Sequence, residues 1–184
     1  MISSPSAMGF HPVARAFHWL VAILVFAVWP LGKVISFVRD DAKTGFYLWH
    51  ESLGFLVLWL MLARLCVRFL TQTPGHGDMP RAQAWLADTV QWSLYLALIA
   101  MPISGFLATN AHGFPLDWFG VLPVASPIGK SPEIAPLLSA IHYWLSWATL
   151  ALVILQYLTV VSNPHQPAHR LMCSGQSSMV LSKT

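Results

Sequence analysis

Apolar positions in this chain neither alternate nor form narrow stripes. They fall into four long runs, separated by short stretches where proline, glycine and charge collect. A bilayer core about 30 Å thick takes about 20 helical residues to cross, and the runs at 15–37, 46–70, 83–109 and 137–161 each reach that length. Charge is absent from 16–32, 52–63, 89–116 and 134–169. The pattern predicts an all-α membrane protein, a four-helix transmembrane bundle running up-down-up-down, with an N-terminal arm at 1–14 and a polar tail at 163–184. The first run is long and its flank lacks a basic region, so it reads as a first span rather than a cleaved signal. Pro30 and Pro102 each remove a backbone donor inside a span. The Ser104-Gly105 pair that follows Pro102 reads as close helix packing. The connection at 110–136 is the longest and is rich in proline and glycine, which places it on the bundle's rim.

Composition narrows the class. The chain is 56% hydrophobic and only 9% charged, where a soluble domain carries about 25% charged residues. So few charges cannot cover a water-facing globule, which excludes a soluble enzyme and a disordered chain. Ten Lys and Arg against seven Asp and Glu give a net charge of +3, too sparse a set to track phosphates, so a nucleic-acid binder is excluded too. Cys66 and Cys173 form no metal-binding spacing. With the N-terminus inside, Arg15, Arg64, Arg68, Arg81, Arg170 and Lys183 face the cytoplasm. Lys33, Arg39, Lys43 and Lys130 then lie outside, offset by Asp40, Asp41, Asp117 and Glu133. That bias favours both termini cytoplasmic.

The eight histidines carry the candidate chemistry, because ionisable groups inside a membrane are costly and usually functional. His11, His76, His112, His165 and His169 read as solvated loop residues, whereas His18, His50 and His142 fall within spans. His50 and His142 sit near the outer beginnings of spans two and four, so their imidazoles share a depth. Fourteen residues advance a helix by about 21 Å and return it to the same face. Counting that far from His142 reaches Gln156, and from His50 reaches Arg64, which sets an inner level shared with His18. Two imidazoles on facing helices suit the axial positions of a haem iron. Trp19, Trp49, Phe55, Trp144 and Trp147 supply flat apolar surface, although each is equally well read as an interfacial belt residue. Zinc would need further ligands. A proton relay or a plain interhelical hydrogen bond accounts for the same histidines, and spacing alone leaves these readings open.

Several short stretches resemble the bacterial cytochrome b561 family of four-helix, quinone-linked di-haem membrane cytochromes. They are Phe17-His18-Trp19-Leu20, His50-Glu51-Ser52-Leu53-Gly54, Met61-Leu62-Ala63-Arg64-Leu65-Cys66-Val67-Arg68, Met101-Pro102-Ile103-Ser104-Gly105 and Ile141-His142. Each is weak alone; their order and spacing from Pro12 to Arg170 are specific. The resemblance implies an outer low-spin b haem whose iron is held axially by His50 and His142. It also implies an inner b haem held by His18 and a second histidine on span four, where this chain has Gln156. Either the inner haem is absent, or it binds through His18 alone with Gln156 facing an open position, or the Gln156 amide ligates weakly. The first is preferred, because losing one imidazole weakens retention of a non-covalent haem, so one haem b is expected and two is the alternative. Arg64, four residues before Arg68, joins His18, His50 and His142 as a candidate cofactor-binding residue, neutralising propionates from the inner side. Snorkelling to headgroups is its bland alternative and the reading preferred for Arg68. Glu51 is expected at the outer surface, Asp88 and Gln91 open span three, and no acid–base pair stands out.

The resemblance further implies one-electron transfer in the bacterial cytoplasmic (inner) membrane, between an outer-face donor such as superoxide and ubiquinone or another membrane quinone. The lipid bilayer and a redox partner protein are the other expected contacts. Two rivals remain: a non-catalytic haem-containing anchor subunit for a redox partner, and a haem-based sensor binding small ligands at an open inner position. A transporter is the weakest reading, since four spans without inverted repeats offer little cavity.

Overall fold

A segment surrounded by hydrocarbon must satisfy its backbone groups internally, and a helix does this within one segment. The computed structural model describes residues 12–71 and 79–162. It contains α1 (Pro12–Val34, continued by a 3-10 turn at Ile35–Phe37), α2 (Asp40–Leu70), α3 (Arg81–His112) and α4 (Ala135–Ser162). All four are long and apolar enough to cross a membrane, and the chain is a multi-pass membrane protein with the expected four-helix architecture.

The helices run a few residues beyond the apolar spans because their ends have local support. Asp40 and Asp41 occupy the first turn of α2, where the helix dipole favours negative charge. α3 ends at Gly113, whose φ of 94° is the left-handed conformation that glycine adopts at helix C-termini. Both α1 and α3 continue through their prolines.

The long connection also holds two strands that short-range pattern did not signal. β1 (Asp117–Trp118) and β2 (Leu122–Pro123) pair antiparallel through Phe119 and Gly120, both at positive φ. This hairpin docks on α2: Trp118 Nε1 donates to the Ser52 carbonyl at 3.1 Å, and the Phe119 N–H to Ser52 Oγ at 2.8 Å. The end of the bundle that it covers is called the hairpin end below.

α3 is the central helix. Half of its most apolar window is buried, against 17% or less for the others. α1 packs on α2, α2 on α3, and α3 on α4, while the backbones of α1 and α4 stay further apart. Val21, Val57, Met61, Tyr95 and Leu98 form the core among α1, α2 and α3. Outward-facing Phe26, Leu96 and Ile154 remain exposed, as suits a surface whose solvent is lipid. His11, His76, His165, His169, Arg170, Lys183, Cys173 and the tail at 163–184 lie outside the described residues.

Candidate functional site

His50 and His142 come from opposite sides of the bundle and meet at the hairpin end. Their ring centroids are 6.1 Å apart and the rings cross at 81°. Each ring is held by a neighbouring helix in the same way. His50 Nδ1 bonds the Val28 carbonyl of α1 at 3.1 Å, and His142 Nδ1 bonds the Met101 carbonyl of α3 at 2.9 Å. A carbonyl only accepts, so Nδ1 carries the proton in both rings, and both Nε2 atoms keep a free lone pair. Four residues beyond each carbonyl stands a glycine that makes room for the ring. A Cβ on Gly32 would lie 2.5 Å from His50 Cε1, and one on Gly105 would lie 2.8 Å from His142 Cε1. The small residues after Pro102 do serve close packing, and what packs there is an imidazole.

This arrangement fits a shared metal. An imidazole nitrogen bonds a transition metal at about 2.0 Å, so two rings sharing one ion have centroids about 6.3 Å apart. Metal-bound histidines commonly donate their other N–H to a carbonyl, which fixes tautomer and orientation. The rings open on a cavity of about 360 Å³, walled by Val25, Phe55, Met101 and Phe106 among others. Among the described residues, no group of three or more His, Cys, Asp or Glu could hold a metal ion. The donor set is therefore two imidazoles on an apolar chamber, which suits a flat macrocycle that brings its own equatorial ligands.

At the opposite end, His18 and Arg64 also meet, but with reversed polarity. Arg64 Nη1 lies 3.0 Å from His18 Nδ1, and Arg64 Nε donates to Tyr95 Oη at 3.2 Å. A guanidinium can only donate, so His18 Nδ1 accepts and its proton sits on Nε2. Gln156 has a fully buried Oε1 with no hydrogen-bond partner among the described residues. Arg68 lies over the rings of Trp92 and Tyr95, at 5.0 and 5.7 Å.

Three residues missed in the sequence line the same chamber as the two imidazoles. Lys33, counted as an outer charge, turns inward, and Glu51 borders the chamber. His112 is the last residue of α3 rather than part of a loop, and its Nε2 lies 3.0 Å from Ser139 Oγ. The glycine after His112 is a helix-stop signal that would have placed it. For Lys33 the available signal is its position four residues after Trp29, which puts both on one face.

The prokaryotic cytochrome b561 family matches the chain over residues 9–164. The chain is 30% identical over 151 residues to cytochrome b561 homolog 2 of Escherichia coli (strain K12), covering 78% of each protein. It is 29% identical over 131 residues to a probable superoxide oxidase CybB of Yersinia pestis, covering 70% of this chain and 73% of that protein.

Proposed function

The chain belongs to the prokaryotic cytochrome b561 family, and from that premise we propose that His50 and His142 hold a single haem b through which electrons pass from an outer-face donor to ubiquinone. Family membership makes the protein a membrane b-type cytochrome that binds haem b and transfers electrons. The facing imidazoles carry the finer reading: 6.1 Å apart, with both Nδ1 atoms engaged by carbonyls, they leave two Nε2 lone pairs free to ligate.

Bound haem supplies a one-electron carrier that cycles between ferric and ferrous iron. The chain's own contribution is positional. The Val28 and Met101 carbonyls fix both ring orientations and increase the basicity of the ligating nitrogens. The mainly apolar walls lower the local polarity and so help to set the potential. The Lys and Arg distribution orients the hairpin end outward, in the bacterial cytoplasmic membrane. The named activity of the Yersinia pestis relative makes superoxide the donor of choice. Two superoxide anions then give up one electron each and leave as dioxygen, while one ubiquinone takes both electrons and two protons to become ubiquinol.

The single-haem reading is supported at the other end. With Arg64 donating to Nδ1, His18 presents an N–H rather than a lone pair at Nε2, and Gln156 offers an amide where an imidazole would be needed. The test is haem per polypeptide, by pyridine haemochrome, on purified wild type, His18→Ala and His142→Ala. Expected is one low-spin b haem that is lost with His142→Ala and kept with His18→Ala. Halving of the haem content by His18→Ala would overturn the single-haem reading. Failure of superoxide to drive ubiquinone reduction in proteoliposomes would overturn the choice of donor.

A further inference from the structure

Lys33 is held in an unusual way for a lysine in a helix's last turn. Its ammonium lies 4.6 Å from the ring centroid of Tyr143, 4.7 Å from Trp147 and 5.4 Å from Trp29. It donates to Ser146 Oγ at 3.0 Å. Trp29 Nε1 bonds the Ser146 carbonyl at 3.1 Å, so the same residue of α4 ties down cage and cation together. Lys33 therefore does not snorkel outward. Aromatic faces and the C-terminal dipole of α1 hold the charge at the chamber wall.

That charge has no direct ion-pair partner: no carboxylate among the described residues pairs with Lys33, although Glu51 borders the same chamber. An ammonium has three donors, and Ser146 Oγ is the one acceptor it has among the described residues. A partly buried cation with donors to spare is costly in an apolar setting unless an anion completes it. Its position relates it to both imidazoles: Lys33 directly follows Gly32, the seat of His50, and Ser146 lies four residues beyond His142. Lys33 and Ser146 line the chamber that both rings share.

Resting on the bis-histidine reading above, we propose that Lys33 is the carboxylate anchor of the chamber, pairing its caged ammonium with a propionate of the porphyrin and raising the reduction potential of the iron. A chamber that is apolar apart from a few polar groups fits an amphiphile with an anionic edge better than it fits a freely hydrated ion. A cation fixed near the iron disfavours the more positive ferric state, so its removal lowers the potential.

The experiment combines potentiometric titration with reconstitution. Wild type, Lys33→Met and Lys33→Arg are purified, and apo-protein from haem-depleted cells is loaded with haem b or its dimethyl ester. Lys33→Met is expected to keep the bis-imidazole spectrum while its reduction equilibrium falls about ten-fold, about 59 mV for a one-electron couple. Lys33→Arg should stay near wild type. Wild type should retain the free-acid haem better than the ester, and Lys33→Met should lose that preference. Equal retention of acid and ester by wild type overturns the assignment without need of any variant, and would mean that Lys33 meets a small solvent anion instead. An unchanged potential in Lys33→Met also overturns it. A wild type without a bis-imidazole spectrum overturns the haem reading itself, an outcome distinguishable from both.

Discussion

Gly105 and His142 touch so closely that a single methyl group cannot be added between them without displacement: a Cβ at position 105 would stand 2.8 Å from Cε1 and 3.0 Å from Nδ1 of the ring. The same relation holds between Gly32 and His50, at 2.5 and 3.0 Å. Both rings are also tethered by carbonyls of the helix that carries the glycine. An added methyl must therefore push the ring off its tether.

Gly105→Ala and Gly32→Ala are each expected to weaken haem retention about ten-fold or more, the effect usual for disturbing groups that orient metal ligands. Haem per chain and the sharpness of the Soret band after detergent washing measure this. Gly45, which faces open space and does not line the chamber, is the control, and Gly45→Ala should leave the spectrum as in wild type.

Gln156→His should restore the missing donor at the far end. His18 is already partly buried there, and it can ligate once Arg64 releases its Nδ1 so that the proton moves there and frees Nε2, with Tyr95 left as a partner for the guanidinium. The replacement puts an imidazole where an amide oxygen without a partner among the described residues now sits. Haem content should rise from about one to about two per polypeptide, with a second low-spin component in the titration. A haem content unchanged by Gln156→His would mean that the inner level is closed for reasons beyond that one ligand.

Axial distance along a helix is legible in sequence, and rotation is less so. Rise per residue is enough to bring His50 to the depth of His142, and to group His18 with Arg64. It does not say that Lys33 turns into the chamber: a lysine near a span end is ordinarily a headgroup anchor, and its cage is completed by Tyr143 and Trp147 from a helix more than a hundred residues away. Nor does spacing tell that Arg64 serves His18, or that Arg68 lies over the rings of Trp92 and Tyr95. The hairpin escaped notice because strands of two residues are too short to show alternation.

The hairpin's attachment to α2 provides the last test. Ser52 is completely buried and holds the hairpin twice, its Oγ accepting from the Phe119 N–H and its carbonyl accepting from Trp118 Nε1. Ser52→Ala removes only the first bond and leaves a backbone N–H without its acceptor, a loss that costs about 1–3 kcal/mol when the group is buried. Trp118→Phe removes the second bond and keeps an aromatic ring against Phe55. The two residues share one attachment, so their effects should not add: once one bond is lost the hairpin is looser and the other contributes less. Two residues along a helix is about 200° of rotation, so Ser52 and His50 face different neighbours, and the haem spectrum should survive Ser52→Ala. Unfolding in graded denaturing detergent, followed by Soret loss, should therefore show earlier midpoints for both single variants, a double variant less destabilised than their combined effect, and an unshifted Soret maximum before unfolding. A Soret shift in folded Ser52→Ala would instead make the hairpin part of what positions His50.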